Sequence, residues 1–217
     1  QKAIFEVSKE FPLFRVDHIQ TSTTDYFEFD TILFTLDCNT LSPEENDLLK
    51  FRSHEIFSKI NPYNRKIFKL TFQLVEGFPQ KCPSIVFQKQ AIFHPNINFD
   101  CGSICTAELK ENWNPKTSIC FILNHIIPNL LLQPNPNDPQ DLHATDLFKY
   151  QKELFLQKAT ENARRKQLRW KDFEGIKLSK VHEDKISKYL GPKVLQPEVK
   201  IVNNFKPGRP DIFSDDE

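Results

Sequence analysis

A chain of 217 residues with 39% hydrophobic side chains, 20 Phe and only 5 Gly holds enough apolar material for one packed domain and an extension. Lys plus Arg number 29, as do Asp plus Glu, so no net field draws the protein toward nucleic acid or a membrane surface. No secretory h-region opens the chain and no apolar run reaches the ~18 residues of a membrane span, so no transmembrane segment is expected.

Ile4, Val7 and Phe11 fall on one helical face and Pro12 ends the run, which predicts a first helix. Tyr26 to Leu36 is rich in aromatic and β-branched residues and reads as one or two strands. Residues 40–62 look inserted. There Ser42-Pro43-Glu44-Glu45 supplies an N-cap, Pro at N1 and Glu at N3, and Leu49, Ile56 and Ile60 form one apolar stripe. A short helix covering sheet surface is expected. Phe68 to Leu74 alternates apolar and polar residues, and Ser84 to Phe87 reads as a further strand.

From Ser118 the apolar spacing suits a helix, kinked at Pro128, and a second helical run spans about Thr145 to Leu168. The basic residues along that run, Lys152, Lys158, Arg164 and Arg165 among them, read as a solvated face. From Trp170 few apolar residues recur with any period, so the tail is expected to be partly extended or disordered. The order helix, strands, helices gives an α+β fold, an antiparallel meander sheet flanked by helices. The core domain is placed at 1–168 and a C-terminal extension at 169–217. The chain has no Met, even at position 1, so its first residue is read as not the native start.

Chemistry concentrates between His94 and Trp113. His94-Pro95-Asn96 is followed by a turn-rich stretch and then Cys105, a thiol near an amide donor. A thiol attacks as thiolate, and the carbonyl it attacks needs a donor for its developing charge. The alternative for a lone Cys is a small buried hydrophobe. Cys101 lies four residues before Cys105, but with no second Cys pair zinc is not expected, and no cofactor is implied. An odd set of Cys38, Cys82, Cys101, Cys105 and Cys120 favours a reducing compartment, the cytoplasm or nucleus.

Five landmarks in order resemble the ubiquitin-conjugating enzyme family: His94-Pro95-Asn96, Gly102-Ser103-Ile104-Cys105, Trp113-Asn114-Pro115, Pro134-Asn135-Pro136-Asn137-Asp138-Pro139, and upstream Gly77-Phe78-Pro79-Gln80-Lys81-Cys82-Pro83. The resemblance covers about residues 1–165 and implies the family's fold. It implies Cys105 as the nucleophile that carries ubiquitin or a ubiquitin-like protein as a thioester, received from an activating enzyme and passed to a substrate lysine or a ligase. Asn96 is then the oxyanion donor, or a loop tie, and Asp138 orients the incoming amine. His94, Pro95 and Trp113 support the site. His94 is not assigned as a base. Phe78, Pro79, Gln80, Asn114, Pro115 and Lys116 face the ligase. Gln80 and Lys116 stand where the family favours apolar or small residues, Ala107 where many members are polar, and Asn96 to Cys105 is one residue longer than usual. A weak or inactive adaptor of the same fold is the second reading.

Overall fold

The computed structural model describes residues 1–35, 54–57, 60–104, 109 and 111–193. The first helix, α1 (Lys2–Glu10), buries Ile4 and Val7, as their spacing predicts. Phe11 leaves it in an extended conformation, the geometry imposed on a residue before proline. Strands β1 (Arg15–Gln20), β2 (Asp25–Phe34), β3 (Ile67–Leu74) and β4 (Ser84–Phe87) form one antiparallel sheet in sequence order.

One face of the sheet carries a continuous aromatic and aliphatic stripe. Phe29 and Phe72 are register partners, and their rings stack at 5.2 Å. Phe68 meets Phe87 edge-on at 6.3 Å. On the opposite face Asp30 is buried but satisfied: Thr71 donates to it at 2.6 Å and the Lys69 ammonium lies at 2.9 Å. A buried carboxylate is tolerable only with such partners.

Helix α2 has three parts: a helical turn Ile119–Phe121, a π-helical segment Ile122–Ile126, and an α-helical segment Ile127–Leu132. Ser118 caps it by accepting from the Phe121 amide. Where the sequence predicts a kink at Pro128, the helix widens just before it, with the Ile127 amide donating to the Ile122 carbonyl. Proline cannot donate and its ring crowds the carbonyl four residues back, and the wider turn makes room. The π segment packs on β2.

The predicted run from Thr145 to Leu168 is two helices, α3 (Leu142–Tyr150) and α4 (Lys152–Lys166), broken at Gln151. Phe148 and Phe155 bridge the break, ring to ring at 5.4 Å. Of the predicted insert, Ile56 is buried in a short turn (Glu55–Phe57) and Ile60 is exposed. Leu49 and the Ser42 to Glu45 cap lie outside the described residues.

The extension departs from its expectation over residues 169–193. A turn at Trp170–Phe173 packs Phe173 on Phe14, and a helix, α5 (Lys180–Leu190), follows under a Ser179 cap. Only His182 and Ile186 of α5 are buried, so sequence periodicity gives it little signal. The rest of the extension, residues 194–217, lies outside the described residues. Among the described residues no helix is long and apolar enough to cross a membrane.

Candidate active site

After β4 the chain folds back on itself. The Phe87 amide donates to the Gly102 carbonyl and the Gly102 amide to the Asn98 carbonyl, both at 2.8 Å. Bridges pair Val86 with Ser103 and Ile97 with Ile104. Asn98 accepts from the amides of Asp100 and Cys101, forming the turn at the tip. Gly102 sits at φ +80, and a Cβ there would lie 2.0 Å from the Phe87 carbonyl oxygen. Its close backbone approach holds the turn against β4. Cys105, the predicted nucleophile, lies outside the described residues, as does Ala107.

Pro95 and Asn96 are joined to the 134–141 loop by five hydrogen bonds. Asn96 Oδ1 accepts from the Asn135 amide at 2.7 Å, and its Nδ2 donates to the carbonyls of Asn135 and Asp138, both at 2.8 Å. The Pro95 carbonyl accepts from Gln140 at 2.7 Å and Asp141 at 3.1 Å. Both amide protons of the buried Asn96 side chain are therefore in use, and a primary amide has only two. Asp138 is exposed on this loop. Asn135, Gln140 and Asp141 go unremarked as anchors in the sequence. Asp141 carried a legible signal, since it stands before a helix, and it does cap α3 by accepting from Ala144 at 2.7 Å.

His94 is fully buried, edge-on to Tyr63, with Nδ1 accepting from the Asn96 amide at 3.1 Å. Tyr63 in turn donates to the Phe93 carbonyl at 2.6 Å. Burial pushes the His94 pKa down to about 3; the Leu130 backbone pulls weakly the other way, although Nε2 has no partner at hydrogen-bonding geometry. The imidazole is a neutral structural acceptor. Because its folded pKa lies below the unfolded ~6.5, the unfolded chain binds the extra proton. Stability is expected to hold above about pH 6.5 and then fall by about 1.4 kcal/mol per pH unit as acid is added. His94→Asn, whose Oδ1 takes the place of Nδ1, should be less acid-sensitive in urea titrations at pH 7, 5.5 and 4.5. Parallel losses in both proteins would rule out His94 as the cause.

The other thiols differ. Cys101 is exposed, with Sγ 3.2 Å from Ser103 Oγ, and hydrogen bonding by Ser103 holds its pKa below the ordinary value. Burial pushes Cys82 up to about 11 and Cys120 upward as well, which makes both poor nucleophiles. Among the described residues no group of three His, Cys, Asp or Glu could hold a metal.

Trp113 belongs to a neighbouring feature. Its indole donates to the Pro79 carbonyl at 2.8 Å and joins the Phe78–Gln80 loop, with a cis Phe78–Pro79 bond, to the Asn114–Lys116 loop. Asn114 Oδ1 accepts from the Lys116 amide at 3.0 Å, which shapes that loop. Phe78, Pro79, Pro115 and Lys116 line a groove of about 680 Å³, with Lys2 and Glu6 of α1 on its other side. Gln80 and Asn114 are exposed and do not line it.

The family described as ubiquitin-conjugating enzyme matches residues 35–163. The "ubiquitin-conjugating enzyme E2-23 kDa" of Triticum aestivum is 32% identical over 130 residues, covering 58% of this chain and 70% of its own. The "ubiquitin-conjugating enzyme E2-24 kDa" of Saccharomyces cerevisiae is 30% identical over 141 residues, covering 65% of this chain and 64% of its own. The E2 domain of a Toxoplasma gondii ubiquitin conjugating enzyme shares the fold at TM-score 0.55 and 20% identity, over 77% of this chain and 96% of that one.

Proposed function

The chain belongs to the ubiquitin-conjugating enzyme family, and on that premise we propose that Cys105 accepts ubiquitin or a ubiquitin-like protein as a thioester and passes it to a substrate lysine or a ligase. The observation that carries this reading is the stitching of Pro95 and Asn96 to the 134–141 loop, with His94 holding the Asn96 amide, all within the matched span and followed in sequence by Cys105. A thioester leaves readily and keeps the acyl group activated, so a thiol suits a carrier. In this reading Asp138, exposed on the same loop, orients the incoming amine, and the groove of Phe78, Pro79, Pro115 and Lys116 serves as the surface for the activating enzyme and ligase.

One observation favours a second reading. The Asn96 amide has no proton to spare for an oxyanion, which suits a slow enzyme or a non-catalytic adaptor of the same fold.

Charging separates the two. Incubation with activating enzyme, ATP and ubiquitin should yield a reducible adduct that Cys105→Ala abolishes and Cys101→Ala retains. No adduct with any ubiquitin-like protein would leave the adaptor. An adduct that persists in Cys105→Ala and vanishes in Cys101→Ala would move the nucleophile to the tip of the turn.

A further inference from the structure

The partner groove has one wall that depends on a helix outside the family-matched span. That wall is the N-terminal half of α1, through Gln1, Lys2, Ala3 and Glu6. A helix of nine residues is not stable alone in water, so its position is fixed by what it touches. Toward the core it offers Ile4 and Val7, with Phe11 just beyond its end. Its last carbonyls meet α5, which follows the matched residues 35–163.

The contacts are specific. The Lys185 ammonium donates to the Glu10 carbonyl at 3.3 Å and lies 5.2 Å from the Phe11 ring centroid. A cation at a helix C-terminus meets the negative end of its dipole and satisfies a carbonyl that the helix leaves open. His182, buried, lies against the Ser8 and Lys9 backbone. The remainder of α5 is held independently of α1. Arg65 donates to the Lys188 carbonyl at 2.8 Å, Tyr189 packs on Phe34 with ring centroids 5.0 Å apart, and Trp170 donates to the Gly191 carbonyl at 3.1 Å. The C-terminal end of α1 is thus tied to a helix anchored on the sheet, and also to α2, where Asn124 Nδ2 donates to Glu10 Oε2 at 3.3 Å and the Ile119–Phe121 turn packs on α1; the other end lines the groove.

We propose that α5 braces α1, and that Lys185, which does not line the groove, is a positioning residue that sets the groove's affinity for its protein partner. This rests on the reading of the groove as the docking surface of a conjugating enzyme. A rod of nine residues spans about 13 Å at 1.5 Å per residue, so a tilt released at Glu10 is felt at Lys2. Losing the tie shifts one wall and leaves the chemistry at position 105 untouched.

The test uses the full chain with Lys185→Met, which keeps an apolar stem over Phe11 and removes the donor. Amide exchange at Phe5 and Phe11 should rise at least fivefold while amides of α4 stay unchanged. In charging assays with activating enzyme and ubiquitin, KM for this protein should rise three- to tenfold at constant kcat, and Lys185→Arg should restore both values. Unchanged exchange and KM would overturn the brace, and so would a uniform rise in exchange that includes α4. If the wild-type chain accepts no ubiquitin, the enzymatic reading fails by itself, and the exchange pattern still decides whether α5 holds α1.

Discussion

Gly102→Ala is expected to cost roughly 3–5 kcal/mol, the size reserved for a core feature that has no room to relax. Two penalties combine. At φ +80 an L side chain is strained, and the added Cβ would sit 2.0 Å from the Phe87 carbonyl oxygen and 2.9 Å from its carbon. Neither neighbour can rotate away, because both are backbone. The two strands must separate, which breaks the bond from the Phe87 amide to the Gly102 carbonyl and the bridge between Val86 and Ser103. Urea denaturation measures the loss, and thioester formation should fall with it, since the turn that precedes position 105 in the chain is disrupted. A variant of wild-type stability would mean that the turn rearranges without cost, and the proposed role of Gly102 would fall.

Asn96→Ala is expected to lose about 3 kcal/mol, from three hydrogen bonds at about 1 kcal/mol each in a buried setting. The Asn135 amide and the carbonyls of Asn135 and Asp138 lose their partner together. Asn96→Asp should fare no better: it can still accept from Asn135, but sets a carboxylate against two carbonyl oxygens. Stability, charging and discharge to free lysine should be measured separately. If the side chain is mainly a tie, stability falls and discharge slows because the loop carrying Asp138 is displaced. If stability holds and only discharge falls, by about a hundredfold, Asn96 acts on the oxyanion and must give up one of its observed bonds to do so.

What the sequence made legible follows from how each element is held. Strand β3 is readable because Phe68, Leu70, Phe72 and Leu74 face the core while residues between them are half-exposed. Strand β1 is not legible in the sequence because five of its six residues are exposed: it exists through its ladder with β2, not through an apolar face. The break at Gln151 has no Gly or Pro to announce it. Helix α5 buries two side chains and relies on donors, Lys185 and Arg65, whose acceptors lie more than a hundred residues away in sequence. At the site, His94-Pro95-Asn96 was conspicuous as a motif. The partners of Asn96, 39 and 42 residues downstream, were not, because a side-chain-to-backbone bond leaves no periodic trace.

The bond from Trp113 to the Pro79 carbonyl has a consequence for partner choice. It makes two loops, separated by more than thirty residues of chain, into one lip, so neither is free to drift alone. A change at Pro79 that turns its carbonyl leaves the indole N–H without a mate, and a change at Trp113 does the same to the carbonyl. Partner choice should therefore be tuned at Gln80 and Lys116, exposed residues of the two loops so joined, without disturbing the bond that joins them.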